Sequence, residues 1–239
     1  FAMTAITALT AQNSRGVSGI HPVPPDFAAA QIDAVLSDIG ADAVKIGMLY
    51  SAELISAVAG ALSRHRAGNI VVDPVMVAQS GDRLLQDDAV KAVSAELFPL
   101  AAVATPNLPE AEVLLDRTIS GRQETEDAAR ALAEFGSRGV LIKGGHGETE
   151  NSDDLLYLAD EGKMRWLSGV RIDTKNTHGT GCTLSSAIAA LLAAGKGLEE
   201  AVEKAKAYLT GAIRAGAAYR IGQGHGPVHH FHGLWRPLK

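Results

Sequence analysis

The sequence predicts an α/β fold: a mainly parallel sheet covered by helices on both faces. Three observations carry this prediction. Short apolar runs alternate with amphipathic helical ones along the chain, the order expected of strand–helix–strand units. The strand-like runs, such as Ile70-Val71-Val72 and Val140-Leu141-Ile142, lack polar alternation, as a sheet buried on both sides requires. Polar and glycine-bearing clusters follow those runs at Lys45-Ile46-Gly47, Asp73-Pro74, Thr105-Pro106-Asn107 and Lys143-Gly144-Gly145-His146. In such sheets ligands gather beyond the carboxyl ends of the strands.

The elements read in order as follows. Residues 25–39 form a helix with Phe27, Ile32, Val35, Leu36 and Ile39 as its buried set. A strand at 43–48 leads to a helix at 51–66, where Ser51 is a good N-cap and Glu53 suits the first turn. A strand at 69–75, a helix at 86–98 and a strand at 101–105 come next. Segments 108–115, 124–136, 140–143, 155–158 and 164–167 continue the series, and helices at 181–194 and 198–218 close it. In the first of these, Leu184, Ile188 and Leu191/Leu192 share one stripe.

With 239 residues, 46% hydrophobic and 21% charged, the chain is a globular protein with ample length for a core. No linker or repeat divides it, so one domain over 1–239 is expected. A net charge of −5 argues against nucleic acid or an anionic membrane as partner. One cysteine allows no internal disulfide and fits a reducing compartment. No apolar run reaches the ~20 residues that span a bilayer, which makes the cytoplasm the expected location. The chain opens Phe1-Ala2-Met3, so the natural start is expected upstream.

The run Asp173-Thr174-Lys175-Asn176-Thr177-His178-Gly179-Thr180-Gly181-Cys182 precedes a small, apolar helix. Gly179 and Gly181 thus flank Thr180 where a loop becomes a helix. First-turn amides there lack intrahelical partners and the dipole presents its positive end, so the turn is a socket for negative charge. Cys182 stands at its rim, and a helix N-terminus favours thiolate over thiol. The pattern is not Walker A, which needs Gly-Lys-Ser/Thr.

Other candidates have two readings each. Asn107 and Glu110 are spaced as a capping box or as functional polar groups. Asp73 either caps a turn or offers a carboxylate to magnesium. Lys143 is either solvated or neutralises phosphate charge. Gln12, with Asn13, is a turn residue or an amide reading a heterocycle edge. His225, His229, His230 and His232 lack the partners of familiar zinc sites, so a packing role in a loop is expected. Glycines 144, 145, 147, 222, 224 and 226 are candidate hinges.

Taken together, these stretches resemble the ribokinase-like superfamily, and within it the hydroxymethylpyrimidine/phosphomethylpyrimidine kinases of thiamine biosynthesis. The resemblance is carried by Thr7 to Asn13, Asp38 to Asp42, Lys45 to Leu49, Asp73 to Met76 and Thr105 to Ala111. Lys143 to His146, Thr174 to Thr183 and Gly226 to His232 complete it. It implies a three-layer α/β/α sandwich and ATP-dependent phosphorylation of 4-amino-5-hydroxymethyl-2-methylpyrimidine, then of its monophosphate.

By the same resemblance Gln12 would bond the aminopyrimidine, with Met76 packed near it. Asn107, Glu110 and Asp73 would organise magnesium and water around the triphosphate, and Lys143 would touch phosphate oxygens. Gly179, Thr180 and Gly181 would form the anion hole, and Asn176 would join the nucleotide site. Cys182 would be the base, where most of the superfamily carries aspartate. The family's opening strand and glycine-rich segment have no counterpart here, so the sheet is expected to lack its first strand. A homodimer is expected, since related kinases are often dimers. Three rivals stand beside this reading: a pyridoxal kinase, a cysteine hydrolase or transferase using His178 or His146 as base, and a non-catalytic pyrimidine sensor.

Overall fold

A computed structural model describes residues 1–76, 87–145 and 151–235. Its centre is a six-stranded sheet: β3 (Val44–Ile46), β4 (Ile70–Val72), β5 (Ala101–Ala104), β6 (Gly139–Ile142), β7 (Asp154–Leu158) and β8 (Lys163–Leu167), side by side in that order. Strands β3 to β6 run parallel, whereas β7 and β8 pair antiparallel. The expected mainly parallel sheet is therefore present, with an antiparallel margin.

Alternation along each strand builds two cores. Ile70, Val72, Val140 and Ile142 face one buried cluster, and Val71, Val103 and Leu141 face the other. The first cluster is closed by α2 (Ala52–Arg64), α3 (Asp87–Ala92), α4 (Leu108–Leu115) and α5 (Gly121–Ala133). The second is closed by α6 (Thr180–Ala193) and α7 (Leu198–Gly216). Helices on both faces make three layers, α/β/α.

Ser51 caps α2, accepting from the Leu54 amide. Helix α1 (Pro25–Asp38) corrects the expected buried set: Phe27 and Ile39 are 61% and 57% exposed, while Ala28 is fully buried. Its packed stripe is Ala28, Ile32 and Leu36, spaced four apart, and Phe27 lies off that stripe. The helix expected at 86–98 begins at a residue outside those described. From Asp87 it is α-helical to Ala92, then a π turn over Val93–Leu97, and a 3₁₀ turn over Phe98–Leu100 ends it. Pro99 has no amide with which to continue the ladder.

One element was not anticipated. Strands β1 (Ala8–Asn13) and β2 (Gly16–Pro22) form an antiparallel hairpin separate from the main sheet. It is moored where Thr7 Oγ1 donates to the Met48 carbonyl, and its base is closed where the Val23 amide donates to the Thr7 carbonyl. No helix among the described residues is long and apolar enough to cross a membrane.

Candidate active site

Strand ends bring the charged groups together. Asp73 follows β4, its amide donating to Ile46 at the end of β3. Lys143 follows β6 and reaches across to Asp73, with Nζ 2.7 Å from Oδ1 and 3.9 Å from Oε2 of Glu110. Asp73 is 1% exposed and takes further donors from Thr105 at 3.3 Å and Ser185 at 3.1 Å. Burial alone pushes the Asp73 carboxyl upward, but the Lys143 and Lys45 charges outweigh it and hold the pKa below the ordinary carboxylate range. For Lys143 burial works downward, and the Asp73 and Glu110 charges reverse it, leaving the ammonium's pKa raised. Burial raises the pKa of Glu110, with Lys143 opposing.

Asn107 and Glu110 answer their two readings together. Asn107 Oδ1 accepts from the Glu110 amide and Glu110 Oε2 from the Asn107 amide, both at 2.8 Å, which is a complete capping box on α4. The same Glu110 oxygen lies within reach of Lys143. One carboxylate thus serves the helix start and the charge cluster.

The Gly179 turn lies over this cluster. Gly179 caps α6 with φ +82°, a left-handed conformation that favours glycine. A Cβ on Gly181 would lie 3.3 Å from Lys143 Nζ and 3.7 Å from Asp73 Oδ2, so the bare backbone lets the helix start approach the charges. The Thr183 amide and hydroxyl both donate to Gly179 O, at 2.8 and 2.7 Å. Among the described residues the Gly181 and Cys182 amides meet no acceptor, as a helix N-terminus dictates. Cys182 is exposed.

All of this opens on one cavity of about 1230 Å³. Lys45, Asp73, Glu110, Lys143, Gly181 and Cys182 line one part. Ala8, Thr10 and Gln12 of the hairpin line another, and the space continues along the β3 edge past Val35 and Leu36. A buried ammonium, unpaired helix amides and an accessible thiol in one cleft are equipped to receive a phosphoryl group and deprotonate an alcohol.

Comparison with known proteins decides the family. The phosphomethylpyrimidine kinase family model matches residues 1–229. The chain belongs to the phosphomethylpyrimidine kinase family. It is 50% identical to a hydroxymethylpyrimidine/phosphomethylpyrimidine kinase of Rhizobium meliloti, over 99% of this chain and 88% of that protein. It is 52% identical to the thiamine biosynthesis bifunctional protein ThiED of Geobacter sulfurreducens, over 96% of this chain but 46% of that longer protein. Its fold matches a Bacillus subtilis pyridoxal kinase solved with ADP at a TM-score of 0.88, with 33% identity over 98% of this chain and 88% of that one.

The site therefore gathers Gln12, Asp73, Asn107, Glu110, Lys143 and the stretch Gly179 to Cys182 around one cleft. Two expectations need correction. Met76 is 5% exposed and packed in the core; the cavity is lined instead by its neighbour Val75 and by Met48. Asn176 is 6% exposed, and its Nδ2 donates to Gly216 and Tyr219 carbonyls at 2.7 and 2.8 Å. Its amide is spent bracing the C-terminal segment.

Met48 and Lys45 were missed as lining residues, although Lys45-Ile46-Gly47 was marked as a strand end. The glycine that follows the strand, Gly47, is the signal in the sequence, and the structure gives its reason: a Cβ there would sit 2.5 Å from Lys45 Nζ. His146 and Gly147 lie outside the described residues. His229 and His232 engage helix α7 and its aromatics, and His230 bonds Thr183 at 3.0 Å, in keeping with the expected packing role.

Proposed function

We propose that the chain transfers the γ-phosphoryl of ATP to the hydroxymethyl oxygen of 4-amino-5-hydroxymethyl-2-methylpyrimidine, and then to the phosphate of the monophosphate formed. The observation that carries this reading is the opening of the Lys143 ammonium, the Gly181 and Cys182 amides and the Cys182 thiol onto the cleft that Gln12 lines. Phosphoryl transfer asks a protein mainly for alignment and charge neutralisation. Lys143 and the α6 amides supply the neutralisation. The Cys182 thiolate takes the hydroxyl proton as oxygen attacks phosphorus, and the bond to the departing ADP breaks. Gln12 presents an amide donor and acceptor to the pyrimidine edge.

Magnesium fits the donor set, since it takes one or two carboxylates and fills its remaining positions with phosphate oxygens and water. Glu110 is the better ligand. The Asp73 oxygens already face Lys143, Thr105 and Ser185, so Asp73 is assigned to holding Lys143. The ion when bound would neutralise charge on the triphosphate.

The chain acts as a single kinase domain and assembles as a homodimer in this proposal. The pyridoxal kinase neighbour makes pyridoxal the second substrate to test. ADP release should be measured with the pyrimidine, its monophosphate and pyridoxal side by side. Turnover of both pyrimidine forms is expected; turnover of pyridoxal alone would overturn the proposal. Substrate trapped covalently on Cys182 without nucleotide would favour a hydrolase or transferase instead.

A further inference from the structure

The C-terminal segment past α7 joins two parts of the cleft that are far apart in sequence. At its near end it meets the hairpin turn. Ser14 Oγ accepts from the amides of Gln223 and Gly224 at 3.2 and 3.3 Å, and Ser14 O accepts from the His225 amide at 2.8 Å. The Arg15 guanidinium adds a contact to the Gln223 side chain. One residue further on, the Gly226 carbonyl accepts from the His178 amide at 3.0 Å, forming a parallel bridge between His178 and Pro227.

Gln12 lies two residues before Ser14, and Gly179 directly follows His178. A short strap, 222–226, thus ties the hairpin that reads the pyrimidine to the turn that receives the phosphoryl group. The fit is tight at the backbone. A Cβ on Gly224 would overlap the Ser14 carbonyl, and one on Gly226 would overlap the Asn176 amide oxygen. Neither Ser14 nor Gly224 lines the cavity.

We infer that Ser14 is a positioning residue through which the strap couples pyrimidine binding to nucleotide binding. The inference rests on the function proposed above. A contiguous chain of backbone hydrogen bonds lets order imposed at one end be felt at the other. A pyrimidine that fixes the hairpin through Gln12 fixes the Ser14 turn, then the strap, then His178 and the Gly179 turn. The nucleotide then meets amides that are already aimed. Linkage requires the converse: nucleotide tightens pyrimidine by the same factor.

The test is calorimetric. A non-hydrolysable ATP analogue with magnesium is titrated into the protein with and without saturating 4-amino-5-hydroxymethyl-2-methylpyrimidine, and the order is then reversed. Wild type is expected to show tightening of at least about fivefold, equal in both directions. Ser14→Ala removes the Oγ that accepts from the Gln223 and Gly224 amides and leaves only the Ser14 O bond to the His225 amide, so it should lower the factor; Gly224→Ala wedges the strap away from the Ser14 carbonyl and should bring the factor towards one. Ser18→Ala is the control. Ser18 Oγ bonds Ala11 O within the hairpin and, among the described residues, makes no hydrogen bond to the strap, so this variant should keep the wild-type factor.

Either of two results overturns the inference: no tightening in wild type, or the full factor retained in both strap variants. A lowered melting temperature with unchanged coupling would likewise reduce Ser14 to a structural role. ADP release separates this inference from the function beneath it. Wild type that turns over the pyrimidine without coupling loses only the strap, whereas wild type with no pyrimidine turnover loses both.

Discussion

Cys182 and Lys143 face the same cleft but do different work, and the two phosphorylation steps separate them. The first acceptor is an alcohol, which must lose its proton. The second is a phosphate monoester, already nearly doubly charged at pH 7 because its second pKa is about 6. It needs no base. Cys182→Ala should therefore slow phosphorylation of the hydroxymethyl group by roughly 10²–10⁴, the usual worth of a general base. It should leave the second step near wild type and ATP affinity unchanged. Equal losses in both steps, measured with each acceptor separately, would remove Cys182 as the base.

Lys143 is different, because Asp73 beneath it is almost wholly buried. Removing one partner of a buried pair typically costs about 3–5 kcal/mol. Lys143→Met should cost that much at pH 7, as well as most of the activity. The pH dependence then reverses sign. In wild type the Asp73 pKa is held below its unfolded value, so its contribution is present above that value and is lost as pH falls through the folded one. Without Lys143, burial dominates and raises the carboxyl's pKa. The variant's deficit is then largest at neutral pH and shrinks as acid protonates Asp73. Denaturant melts at pH 4 and 7, with Lys143→Met/Asp73→Asn recovering part of the loss, check this. A deficit independent of pH would contradict it.

At the scale of elements, the turn into α6 is where sequence and structure agree most closely. Gly179, Gly181 and the stripe of Leu184, Ile188 and Leu192 mark the helix and where it starts, because a helix start, a buried stripe and a left-handed position all have local causes. The hairpin was illegible for the opposite reason. Ala8, Thr10 and Gln12 face a cavity rather than a core, so no apolar alternation marks the strand. Met76 was misplaced because two methionines follow neighbouring strands, and only the third dimension shows that Met48 reaches the cleft. Asn176 sits in the most telling motif, but its partners are some forty residues away at Gly216 and Tyr219. Gly179→Ala tests the turn itself. A Cβ there meets nothing within 4 Å, so the cost is backbone strain alone, roughly 1–2 kcal/mol. Turnover should fall by more than that energy explains, about tenfold per 1.4 kcal/mol, because the Gly181 and Cys182 amides lose their aim. A rate loss no greater than the stability loss would show that the turn does not set that aim.

For the molecule as a whole, the hairpin raises the question of what covers its outer face. An isolated two-stranded hairpin is marginal in water, and this one pairs with no strand of the main sheet among the described residues. Its alternation follows the cleft: Ala8, Thr10 and Gln12 face the cavity, which leaves Leu9 on the other side, 57% exposed. Ile6, just before the strand, is 41% exposed. A bulge opposite Ala11 and Gln12 interrupts the ladder. In the proposed homodimer a second copy would bury the outward leucine and stiffen the strand that carries Gln12, and assembly would then be linked to substrate binding. Light scattering should give twice the 24.9 kDa chain mass. Leu9→Lys should give a single chain mass with nucleotide binding intact and pyrimidine affinity weakened, because Leu9 is exposed and does not line the cleft. A wild type that stays monomeric at concentrations well above its working range, or a monomeric Leu9→Lys with unchanged pyrimidine affinity, would mean that the hairpin needs no partner to hold Gln12 in place.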